Sequence, residues 1–114
     1  MPLKNLTKAD QELVLQCLSA IADGDEIEDW EFQTRLGITR LVVKRMIAEW
    51  PEVDDEVESS DGFLAINNCM NEICQGIRLS PEEWALRFTQ SRDAVALAYK
   101  NWLRLGGQSH GGIR

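Results

Sequence analysis

The chain has 114 residues, 44% of them hydrophobic, with 19 acidic against 12 basic side chains and a net charge of −7. That length suits one compact domain, or two small halves sharing a core, and excludes two large domains. The acidic balance disfavours nonspecific attraction to nucleic acid, because a phosphate backbone is bound by Lys and Arg side chains that displace its counterions into solution.

The first predicted helix runs from a Thr7 N-cap to about Ala22. Leu13, Val14, Cys17, Leu18 and Ile21 form one buried stripe, and Asp10 is the expected reciprocal partner of the cap. Gly24 is the expected left-handed exit. Ile27, isolated among polar residues, reads as a short extended stub. A short second helix begins near Glu28 or Asp29 and turns Phe32 and Leu36 inward. Gly37-Ile38-Thr39 is a tight turn whose last residue caps a third helix from Thr39 to Trp50. Val42, Val43, Met46, Ile47 and Trp50 share its buried face, leaving Arg40, Leu41, Lys44 and Arg45 outside, and Pro51 stops it.

Residues 51–60 read as an acidic, solvated linker. Beyond it a helix follows Ser60-Asp61, buries Ile66, Cys69, Met70 and Ile73 and ends before Gly76, with Leu79 as a second stub. Ser80-Pro81-Glu82-Glu83 is a capping box with proline at the first helical position. It opens a short helix carrying Trp84 and Phe88. The last helix follows Ser91, buries Ala94, Val95, Ala98, Tyr99 and Trp102, and is expected to stop at Gly106-Gly107. Residues 106–114 read as a flexible tail.

Sliding the chain against itself by 52 positions aligns these two series without a gap. Cys17/Cys69, Ile21/Ile73, Gly24/Gly76, Glu31/Glu83, Arg35/Arg87, Arg40/Arg92, Val43/Val95 and Trp50/Trp102 are identical. The expected fold is therefore all-α: two pseudo-repeated three-helix units, 7–50 and 61–105, with the two stub strands pairing.

Residues 32–46, from Phe32 through Gly37 to Val43 and Met46, resemble the two-helix core of tri-helical, helix-turn-helix DNA-binding modules. Gln33 departs from the small residue those families place four before the turn glycine. The second unit has Ala85 there but Thr89 in place of the glycine. The resemblance implies a recognition helix at 39–50, with Arg35, Arg40, Lys44 and Arg45 as the nucleic-acid contacts. The second unit replaces Lys44 and Arg45 by Ala96 and Leu97, so it lacks that face.

Trp30, Leu41 and Leu97 fall off the core-facing patterns, which is how partner-binding residues read. The acids at Asp25, Glu26, Glu28 and Asp29 favour a basic partner. Asp23 to Asp29 is not a calcium loop, because Ile27 stands three residues after Gly24 rather than two and the second unit offers no ligand series. The only histidine, His110, lies in the tail, so no Ser/His or Cys/His pair is built on ordered structure, and the cysteines lack zinc spacing. No enzyme activity and no cofactor is expected. No apolar run of about 18 residues or leader pattern is present, so no membrane span or signal peptide is expected either. Three free thiols among apolar neighbours, Cys17, Cys69 and Cys74, fit a cytoplasmic setting. The leading expectation is a regulatory or adaptor-like protein that recognises another protein, and the alternative is a DNA-binding regulator.

Overall fold

The helix Pro81–Arg87 opens as its sequence dictates. Ser80 accepts from the Glu83 N–H while the Glu83 carboxylate accepts from the Ser80 N–H, with Pro81 at the first helical position. The same logic sets the other helix starts: the Thr7, Thr39, Ser60 and Ser91 hydroxyls accept from the backbone N–H three residues on. The computed structural model describes residues 2–108, with side chains through residue 106. Among them are seven α-helices: α1 Pro2–Asn5, α2 Lys8–Asp23, α3 Asp29–Leu36, α4 Arg40–Ala48, α5 Asp61–Asn71, α6 Pro81–Arg87 and α7 Arg92–Gln108. A π-helical turn, Glu72–Gly76, extends α5. The fold is all-α, and no described helix is long and apolar enough to cross a membrane.

α2 is the central element, packed against α4, α5 and α7. Val14, Cys17, Leu18 and Ile21 from α2 meet Ile66, Cys69, Met70 and Ile73 and, from α7, Val95, Ala98 and Trp102 in one apolar cluster. The radius of gyration of 13.3 Å is that of a single compact unit, for which about 13 Å is expected at this size. Trp102 is the largest fully buried side chain, whereas Trp50 is only partly buried at the edge of the cluster.

Ile27 and Leu79 are buried, but no strand forms among the described residues. Their carbonyls are taken by arginines instead. The Arg40 guanidinium donates to the Ile27 carbonyl and lies 4.6 Å from the Phe32 ring centroid. The Arg92 guanidinium donates to the Leu79 carbonyl and lies 4.4 Å from the Trp84 centroid. Each of these residues stands 52 positions from its counterpart. A second correspondence crosses between the halves. Arg35, near the end of α3, pairs with Glu72, and Arg87, at the end of α6, pairs with Glu26.

Several boundaries differ from the sequence expectation. Gly24 has φ −82°, not a left-handed value, because the end of α2 is closed from outside: Arg40 Nη1 donates to the carbonyls of Ile21, Ala22 and Gly24 at 3.2, 2.8 and 3.1 Å. The Asp10 carboxylate accepts from Asn101 Nδ2 at 3.0 Å rather than returning to its own cap. α4 ends at Ala48 rather than Trp50, in a turn that runs into Pro51. α7 continues through Gly106-Gly107 to Gln108. Residues 109–114 of the expected tail, with His110, lie outside the described residues.

The largest correction concerns residues 51–60, which are not simply a solvated crossing. Val53 is buried and Asp55 is fully buried. Asp55 Oδ2 accepts from the Leu3 N–H at 2.9 Å and from Trp102 Nε1 at 2.8 Å. This joins α1, which the sequence reading omitted, to α7 through the linker. Gly62 makes the approach feasible, because a Cβ there would lie 2.1 Å from the Asp54 carbonyl oxygen.

Candidate functional site: the α3–α4 face

α3 and α4 are joined at Gly37, whose φ of 74° gives the left-handed turn that a side chain would resist. The Gly37 N–H donates to the Gln33 carbonyl, and Asn68 Nδ2 donates to the Leu36 carbonyl, so the end of α3 is satisfied and anchored on α5. Thr39 then starts α4 at an angle that leaves an open groove of about 370 Å³ between the helices. Asp29, Phe32, Gln33, Thr39, Arg40, Leu41 and Lys44 line it.

The basic residues expected to contact nucleic acid divide into two groups. Arg40 is turned inward, its side chain 20% exposed, and its guanidinium is used up on four backbone carbonyls and Asp29 Oδ1 at 2.7 Å. A helical wheel places Arg40 at the margin of the apolar face, from where a long side chain can turn either way. The long stem carries the fork back to the end of α2, where no basic residue of the helix itself faces the negative end of the dipole. Arg35 is held by Glu72 through two donors. Lys44 and Arg45 are exposed and make no ion pair among the described residues.

The residues expected to bind a partner are also divided. Trp30 is 78% exposed and Leu41 65%. Leu41 forms part of the groove wall, whereas Trp30 is exposed on α3 and is not among the residues that line the groove. Leu97 is 58% exposed on α7 and is not part of the groove. None of the three packs between the two halves. Among the acids, Glu26 is committed internally: Arg87 Nη1 and Nη2 donate to its two oxygens at 2.9 Å each. That bidentate contact holds the Glu26 carboxyl below its ordinary value and raises Arg87 in return. Asp29 pairs with Arg40 while remaining largely in water. Asp25 and Glu28 are exposed and form no salt bridge among the described residues, and neither does the half-exposed Glu31.

Two features of the surface and core went unread in the sequence. Leu86 is 86% exposed on α6 and borders a smaller hollow of about 260 Å³ with Ser19, Ala20, Asp23, Gly24 and Arg87. Its place between Trp84 and Phe88, off their shared inward face, was a usable signal. Asp55 carried none, because its partners are about fifty residues away in either direction.

Cys17 and Cys69 are buried, Cys74 is half-buried, and burial pushes all three thiols up, away from the nucleophilic thiolate. The Tyr99 hydroxyl is likewise raised by burial and donates to Asn67 Oδ1 at 2.7 Å. Among the described residues no three His, Cys, Asp or Glu side chains converge in a metal-binding arrangement. Compared with known proteins, the chain matches no family model, no curated protein and no solved structure.

Proposed function

We propose that this is a small, non-enzymatic binding protein, regulatory or adaptor-like in kind, that recognises another protein through its α3–α4 face. The observation that carries the reading is the exposure of two large apolar side chains on successive helices, Trp30 on α3 and Leu41 on α4, the latter in the wall of the groove between them. An exposed tryptophan gains free energy when a partner covers it, and tryptophan is among the residues most enriched at the energetic centres of interfaces. The inward commitment of Arg40 and Arg35 favours the same reading, since two of the four side chains a DNA reader would use are spent on the fold.

The test is a photo-crosslinking residue in place of Leu41, in protein expressed in its native cells. Adducts with a defined protein, lost when Trp30→Ala is added, support the proposal. Adducts with DNA alone overturn it. A DNA-binding reading retains one specific support, Lys44 and Arg45, which are exposed on α4 and form no ion pair among the described residues. It requires a shift of random duplex DNA at low salt that Lys44→Ala with Arg45→Ala abolishes.

A further inference from the structure

We infer that the hollow between the end of α2 and α6 is a second binding site, independent of the α3–α4 face, and that it takes a basic segment of a partner protein. A Lys or Arg side chain enters toward Asp23, and an apolar neighbour covers Leu86. Ser19, Ala20, Asp23 and Gly24 of the lining come from the last turn of α2 and its cap, and Leu86 and Arg87 come from α6. Of the two charged residues among them, Arg87 is already held by both oxygens of Glu26. Asp23 is exposed and forms no ion pair among the described residues. It is the final residue of α2, at the negative end of the helix dipole, where a carboxylate is unfavourable. Arg40, which also reaches the end of α2, is balanced by Asp29 and leaves Asp23 unanswered. More negative charge stands close by, since Asp25 and Glu83 join Glu26 in favouring the charged form of Arg87. The one lining cation is therefore set against the carboxylates of Asp23, Asp25, Glu26 and Glu83, and a further cation is what the hollow attracts.

Size and wall decide for a protein side chain over a free small cation. The volume of about 260 Å³ falls below the range of about 300–1,000 Å³ for sites that enclose a small molecule, and it suits one inserted side chain. Ala20 sets the depth. Glu72, 52 positions on, reaches across to Arg35, whereas Ala20 ends at its methyl and leaves the space beside Arg87 open. Leu86 is 86% exposed, more than any other large apolar side chain described, and only an occupant with an apolar part gains by covering it. The aliphatic stem of Lys or Arg begins that cover, and a neighbouring apolar residue completes it. A phosphate backbone, an anionic lipid surface and a second copy of this chain, itself at −7, are all repelled.

Three short peptides, blocked at both ends, test the inference against the full-length protein: one with Arg beside Leu-Leu, one with Glu in place of the Arg, and one with Ser-Ser in place of the leucines. Calorimetry gives affinity, and amide chemical shifts give the place of binding. The Arg-Leu-Leu peptide is expected to bind best of the three and to weaken with salt. It should shift the amides of Ser19, Ala20, Asp23, Gly24, Leu86 and Arg87 rather than those of Leu41 and Lys44. Asp23→Asn should lower affinity on the order of fivefold, for one surface charge pair, and Leu86→Ser on the order of tenfold, for the lost apolar cover. Both side chains are exposed, so neither variant should lower the urea midpoint. Equal affinity for the Glu peptide or for the Ser-Ser peptide overturns the inference. Shifts confined to the α3–α4 face, or an affinity that neither substitution alters, overturn it too. Binding of none of the three at millimolar concentration does the same, and leaves the α3–α4 reading to its own test.

Discussion

Replacing Arg40 by Met keeps an apolar stem and removes the guanidinium together with its contact over the Phe32 ring, which isolates what the fork contributes. Four carbonyls, of Ile21, Ala22, Gly24 and Ile27, lose their donor, and the surface pair with Asp29 is broken. A hydrogen bond to a charged group is worth about 1.5–3 kcal/mol, and an exposed ion pair well under about 1 kcal/mol. The site is one-fifth exposed, so water re-satisfies part of what is lost and the four bonds do not add. Counting two effective bonds gives about 3–6 kcal/mol, a large share of the stability of a domain this size. In urea unfolding followed by circular dichroism, the midpoint should fall by about 2 M, for a slope of about 2 kcal/mol/M. Arg40→Lys should recover less than half, because an ammonium cannot fork across several carbonyls. Asp29→Ala should cost less than about 0.5 kcal/mol. The reasoning fails if Arg40→Met unfolds within about 1 kcal/mol of the parent, which is how a solvent-facing arginine kept for nucleic acid would behave.

Four further outcomes are expected. Glu26→Gln should destabilise the protein most above pH 4.5, the ordinary glutamate value. Because Arg87 lowers the Glu26 value in the folded state, the difference from the parent should vanish as pH falls through that lowered value, and a pH series of unfolding midpoints reads it. Trp102→Phe removes the indole donor to Asp55, whose other oxygen has no hydrogen-bond partner among the described residues. It should cost about 2–4 kcal/mol and speed amide exchange at Leu3 relative to the middle of α2. Gly37→Ala should cost about 1–2 kcal/mol from the left-handed backbone alone, since the nearest atoms to the new methyl lie at 3.8 and 4.0 Å, and Gly37→Asn should cost less. A neutral alkylating reagent should label Cys74 in the native protein, and Cys17 and Cys69 only in denaturant, as mass spectrometry of digests will show.

What the sequence disclosed follows the range of the interactions involved. Helix starts at Thr7, Thr39, Ser60 and Ser80 were legible because a cap and its donor are three residues apart, and Gly37 was legible because a left-handed turn demands it. The exposure of Trp30, Leu41 and Leu97 was legible because each breaks a helical period. Arg40 was misread because its acceptors belong to another helix, and Gly24 was misread for the same reason, its left-handed exit made unnecessary by that arginine. Glu26 and Asp25 are neighbours of identical charge, yet one is locked to Arg87 and the other is in water. No local pattern separates them, because the difference is made by α6, sixty residues on.

The buried carboxylate of Asp55 has a consequence for how this chain tolerates being cut. It lies in the segment that a protease or a protein engineer would choose for severing the molecule into a front and a back piece, yet the amide near the amino terminus and the indole near the carboxyl terminus both depend on it. Whichever fragment keeps the acid leaves the other with a buried donor that nothing satisfies. The halves are therefore interdependent, and scission between Glu52 and Ser59 should yield a nicked but associated protein rather than two modules that can be used separately.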